Sequence, residues 1–175
     1  MKNEALEVLK NRRSIRKFKS EQISDEELNI VLEAGLLAPS AAGTQTPVIV
    51  AVQDPESVKQ LASMNAKILN MAQMSNPYYG APTILLVLAP ADAHAPVEDS
   101  SLVAGNLMNA AYAVGLGSCW IHRGREMFES EEGKSLLEKW NLPANMTGVA
   151  TIALGYPDCP KPEAAPRKEG RLTKI

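Results

Sequence analysis

Residues 115–122 read Gly-Leu-Gly-Ser-Cys-Trp-Ile-His, and the choice of fold turns on them. Two glycines one residue apart could open a dinucleotide-binding turn, which needs a third glycine and a helix behind it. Trp120 stands where that glycine would be, and Ser118 to Ile121 is a strand-like run. A Rossmann turn is thereby excluded. Upstream, Asp99 to Val114 has helical length, closed by Gly115 at its C-terminal end. Small side chains at Ala104, Gly105, Ala110, Ala111 and Ala113 let another backbone approach it closely. Downstream, a polar helix is predicted from about Glu126 to Trp140, stopped by Asn141-Leu142-Pro143, and then a strand over Val149 to Leu154.

The rest of the chain alternates in the same way. A short helix is expected at Glu4 to Asn11. Ser24-Asp25-Glu26-Glu27 is a capping box opening a helix to about Leu37, with Pro39 just past its end. Val48 to Val52 and Thr83 to Leu88 are apolar runs suited to buried strands, and Asp54-Pro55 starts a helix between them. Interleaved strands and helices predict one sheet with helices on both faces, in a single domain over 1–175. The tail from about Tyr156, with Pro157, Pro160, Pro162 and Pro166, continues neither element.

Composition narrows the function. The chain has 175 residues, 45% apolar and 22% charged, with a net charge of -2, which is ordinary for a globular protein. Met1-Lys2-Asn3-Glu4 leads into an amphipathic helix rather than a signal peptide. The uncharged run between Asp99 and Arg123 contains Asn106, Asn109, Gly115 and Gly117, which suits a buried helix and strand, not a membrane span. Cys119 and Cys159 form no CxxC pair, and His94 and His122 lie far apart. The expectation is a cytoplasmic protein with no metal, no membrane partner and no nucleic-acid partner.

Against that acidic background, residues 11–18 read Asn-Arg-Arg-Ser-Ile-Arg-Lys-Phe. In an extended chain Arg12, Ser14 and Arg16 point to one side. Guanidinium forks and a hydroxyl suit phosphate oxygens. An RNA binder would want aromatic platforms, and only 5% of residues are aromatic. A single phosphate group fits better than a solvated charge run. Ala38 to Pro47 is a small-residue loop in which backbone amides could approach a flat ligand, with Gln45 able to donate and accept. Cys119 reads as a buried, inert thiol, and Met64, Met71 and Met74 as core filler. Ala165-Pro166-Arg167-Lys168 adds two late cations, at a frayed terminus or closing the phosphate pocket from the opposite side.

The basic segment, the Ala-Pro-Ser-Ala-Ala-Gly-Thr-Gln-Thr-Pro loop, the Ala-rich helix into Gly-Leu-Gly-Ser-Cys-Trp-Ile, and Ala-Pro-Arg-Lys together resemble the FMN-dependent nitroreductase family. The resemblance runs from about Glu4 to Lys168 and is to its short, stand-alone members. It implies an α+β fold, a three-layer α-β-α sandwich around a central mixed, largely antiparallel sheet. It also implies a homodimer with FMN at the subunit interface. Arg12, Arg13 and Ser14 match the family's phosphate ligands, Arg16 its cation near the pyrimidine edge, and Arg167 a late phosphate ligand. Pro39, Ser40, Ala41 and Gln45 match the loop that reaches the flavin from the other subunit. Asn65 and Lys67 match a ring-edge polar pair, and Trp120, Ile121 and His122 the strand end beside flavin N5. Gly43 and Pro47 stand where members commonly have Asn and Trp. The implied activity is ping-pong transfer from NAD(P)H through N5 to flat acceptors such as nitroaromatics or quinones, with no catalytic side chain; a non-catalytic FMN carrier or flavin sensor is the alternative. Between Asp54 and Thr83 no insertion of lid length is present, so methionines and Tyr78-Tyr79 are expected to leave an open apolar cleft.

Overall fold

The computed structural model describes residues 3–68 and 76–175. Its elements are α1 (Glu4–Asn11), α2 (Asp25–Leu36), β1 (Val48–Val52), α3 (Pro55–Ile68), β2 (Thr83–Pro90), α4 (Pro96–Ala113), β3 (Gly117–Ile121), α5 (Gly124–Glu129), α6 (Glu131–Lys139) and β4 (Met146–Gly155). The strands form one sheet in the order β1-β2-β4-β3, each neighbouring pair antiparallel. Beyond β3 a parallel bridge joins Ser14 to Ser118, and an antiparallel bridge joins Phe18 to Pro157. The expected α+β sandwich, with its largely antiparallel sheet, is the fold observed.

Strand β2 shows why the sheet needs cover on both sides. Ile84, Leu86 and Leu88 face a cluster that includes Leu61, Met127, Phe128, Leu136 and Leu137 from α3, α5 and α6. Leu85 and Val87 face the other cluster, with Leu28 and Val31 of α2 and Val103, Ala104 and Leu107 of α4. All five are fully buried. An apolar strand with no polar face is stable only between two layers.

Local signals mostly form as expected. The Ser24 hydroxyl accepts from the Glu27 amide at 3.2 Å, while Glu27 Oε2 accepts from the Ser24 amide at 2.9 Å. Tyr156 donates to the same Oε2 at 2.6 Å and, with Ser24, holds the Glu27 carboxyl below the usual carboxylate range. The capping box is thus fastened to the end of β4. Gly115 takes a left-handed φ of 83° just past α4, where a side chain would be strained.

Three expectations change. The predicted helix from Glu126 to Trp140 is two helices, because Ser130 is extended at φ -74° and ψ 156°. Its hydroxyl accepts from the Gly133 amide at 3.1 Å and donates to the Met127 carbonyl at 2.6 Å, so serine serves as a cap. The helix from Asp99 begins three residues earlier, since Pro96 suits a first turn. Tyr78 does not border an open cleft. It is fully buried, its hydroxyl 3.8 Å from Met127 Sδ, and burial pushes its phenol up to about 12. Met64 is core, as expected; Met71 and Met74 lie outside the described residues.

Candidate cofactor site at the edge of the sheet

Helix α1 ends at Asn11, and the cap residue Arg12, with φ of -58° and ψ of 135°, turns the chain into an extended path. The Ile15 amide then donates to the Ser118 carbonyl at 3.0 Å, laying the basic segment along β3. Here lies a cavity of about 210 Å³, lined by Arg12, Arg13, Tyr112, Ser118, Cys159 and Lys161 among others. Arg12 Nη1, Arg13 Nε and Ser118 Oγ are buried there without hydrogen-bond partners. A buried donor left unmet costs about 1–3 kcal/mol, so three at one edge are a standing demand for an acceptor.

The roles within the segment divide. Arg13 Nη1 donates to the carbonyls of Lys10 at 2.8 Å and Arg12 at 2.7 Å, so part of its guanidinium closes the end of α1. Cys119, beside Ser14, is buried; burial pushes its thiol up, partly offset by the Arg16 and Arg12 cations. It is a buried core thiol, as expected from the sequence. Lys161 was not singled out there. Its Nζ lies 3.4 Å from the Tyr112 hydroxyl and 5.8 Å from the ring centroid, at the cavity wall. Arg167 lies further along the exposed tail and does not line the cavity.

At the other end of β3, Asn65 is fully buried and its Nδ2 donates to the His122 carbonyl at 2.7 Å. Its Oδ1 and the indole Nε1 of Trp120 are buried without partners. Ile121 is buried, with its carbonyl accepting from Thr151 at 2.9 Å, while His122 is exposed with its ring centroid 6.5 Å from that of Trp120. Arg123 follows in the left-handed region at φ 86°. Lys67 is drawn instead to Glu132 of α6, at 3.3 Å. Asn65 and His122 are therefore brought together, and Lys67 is engaged elsewhere.

The loop holding Pro39, Ser40, Ala41 and Gln45 lines a different cavity, of about 200 Å³, with Pro47 and Val103. It contains a 3-10 turn at Ala41–Gly43, and both Ala42 (φ 49°) and Gln45 (φ 51°) are left-handed. Such residues cost about 1–2 kcal/mol each and persist where surroundings over-determine them. Here the Ser40 hydroxyl accepts from the Gln45 amide, and Asp99 Oδ1 of α4 accepts from the Ala41 amide, both at 2.9 Å. Asp99 also escaped sequence reasoning; an acidic residue near a helix start reads as an ordinary partner of the helix dipole.

The fold is a three-layer α+β sandwich whose one sheet edge gathers cations and unmet donors, the chemistry that suits a phosphate group. The Nitroreductase family model matches residues 9–156, and the chain belongs to that family. It is 32% identical over 159 residues to an Archaeoglobus fulgidus protein provisionally named NADH dehydrogenase/NAD(P)H nitroreductase, covering 88% of this chain and 86% of that one. A Vibrio harveyi NADPH-flavin oxidoreductase is 29% identical over 181 residues, covering 94% of this chain and 70% of that one. Among solved structures, a Bacteroides fragilis nitroreductase with bound FMN superposes with a TM-score of 0.88 at 27% identity, over 99% of this chain and 100% of that one.

Proposed function

We propose that this protein is an FMN-dependent NAD(P)H oxidoreductase, active on flat acceptors such as nitroaromatics and quinones. The observation that carries the proposal is the set of buried, partnerless donors at Arg12 Nη1, Arg13 Nε and Ser118 Oγ in one cation-lined cavity. A phosphate dianion answers all three. Arg12, Arg13 and Ser14 would hold it, with Lys161 at the wall and Arg167 from the tail. Asn65 Oδ1, buried without a partner at the end of β3, offers an acceptor for the polar edge of a flavin ring. Arg16 would favour negative charge on the ring, and the β3 end from Trp120 to His122 would set its height. When bound, FMN supplies hydride chemistry at N5, accepting from NAD(P)H and donating to the acceptor in separate half-reactions.

The unit proposed is a homodimer. Leu9 of α1 and Leu102 of α4 are exposed at 61% and 48%, beside a groove lined by Ala5, Val8, Ala34, Ala110 and Ala113. That apolar area lacks cover in a single subunit, and the loop at Pro39–Gln45 would complete the partner's site. No helix among the described residues is long and apolar enough to cross a membrane.

The test is anaerobic reduction. The purified protein is expected to bind FMN, and NADH or NADPH should bleach it rapidly. Bound flavin that neither nicotinamide bleaches would mark a carrier instead, and protein that takes up no FMN would end the flavin proposal. Sedimentation of the loaded form tests the dimer, and turnover with several nitroaromatics and quinones tests the acceptor class.

A further inference from the structure

We infer that Asp99 is the positioning residue of the Pro39–Gln45 loop, and through it of the flavin ring; this rests on the proposed FMN function. Asp99 is only 3% exposed, and no cation pairs with it among the described residues. A buried carboxylate in that state is costly unless it is bonded, and its bond runs to a loop 58 residues away. Ser40, the residue before the 3-10 turn, does not cap it; its hydroxyl is taken by Gln45. Asp99 supplies the missing cap from α4, accepting from the first amide of the turn. The left-handed Ala42 and Gln45 would relax if that cap were lost.

The second carboxylate oxygen, Oδ2, is buried without a partner, as are Ser100 Oγ next to it and Thr46 Oγ1 in the loop. These three are the only such atoms among the described residues outside the basic segment, Asn65 and β3. A helix anchored in the core thus fixes a loop whose backbone strain would otherwise favour other conformations. The role depends on acceptor geometry rather than on charge: asparagine keeps the Oδ1 acceptor, alanine removes it.

The experiment compares Asp99→Asn, Asp99→Ala and Ala41→Pro in the full-length protein, reading FMN affinity by fluorescence and the visible circular dichroism of bound flavin. Ala41→Pro removes the same bond from the donor side; Ser40 is already extended, as a residue before proline requires. Asp99→Ala and Ala41→Pro are each expected to weaken FMN binding about tenfold and alter the flavin dichroism, with Asp99→Asn within about threefold of wild type. If Asp99→Ala does not fold, Ala41→Pro and Asp99→Asn still decide. Wild-type FMN affinity and dichroism in Ala41→Pro, or a tenfold loss in Asp99→Asn, would overturn the inference while leaving the FMN proposal standing. Failure of the wild type to bind FMN would overturn both.

Discussion

Strands β2 and β4 and the β3 edge are parts of one sheet built to different rules. In β2, residues Ile84 to Ala89 are fully buried, and each side chain is apolar and meets others like it. At the edge, β3 pairs with a short basic segment, and Ser118, Trp120, Arg12 and Arg13 keep polar atoms buried without partners. The centre is complete by itself, while the edge keeps buried polar atoms unmet. Stability and affinity should therefore respond to different residues.

The largest expected separation comes from the centre. Leu86→Ala, at a fully buried site, should cost about 2–5 kcal/mol in denaturant unfolding. FMN affinity of the folded protein should hardly change; a parallel loss of affinity would show that the two regions are coupled. Next is the ligand itself. FMN at a hundred times its Kd should raise stability by about 2.7 kcal/mol, seen as a higher Tm. Riboflavin at the same concentration should give much less, since it lacks the phosphate proposed to meet the edge donors.

Arg12→Ala should weaken FMN binding by about 1.5–3 kcal/mol, or roughly 10- to 150-fold, in a titration, with little effect on riboflavin. Unfolding without ligand should be unchanged or somewhat harder, because the lost donor is buried without a partner in the protein. Smallest is the tie between Tyr156 and Glu27. The folded carboxyl of Glu27 titrates below its unfolded value, so its contribution is present above the unfolded pKa and lost as pH falls through the folded one. Tyr156→Phe should lower stability slightly at neutral pH, and the gap from wild type should close at acid pH. A gap that persists in acid would mean that the hydroxyl acts through packing, not through the carboxylate.

What could be read beforehand was local. The capping box at Ser24, the stop at Gly115 and the β-branched run of β1 are each decided within a few residues, and each formed in place. The basic segment was legible as a cluster of cations, since side-chain chemistry is a sequence property, but alternation did not tell which of them meet the cavity: Arg12 and Arg13 line it, and Ser14 and Arg16 do not. What stayed hidden depends on distant neighbours. Lys67 lies against Glu132 at the surface, Lys161 lines the cavity on a tail tied down at Phe18–Pro157 and Lys17–Asp158, and Asp99 accepts a bond from a turn in another element. The break at Ser130 is a different case: residues on both sides favour helix, and one hydroxyl in a cap decides the outcome. Tyr78 looked like a cleft residue because nothing nearby in sequence announces the core around its ring.

The two tryptophans stand on opposite faces of the sheet. Trp120 packs toward α2 and α4 with its indole nitrogen free, whereas Trp140 packs toward Phe128, the ring centroids 6.3 Å apart. The molecule therefore carries its own pair of optical probes. A flavin at the β3 edge would extinguish the emission of Trp120 more strongly than that of Trp140, so Trp140→Phe leaves a reporter of occupancy and Trp120→Phe a reporter of the far layer. Loading of the edge and melting of the layer behind it can then be followed separately, without a label.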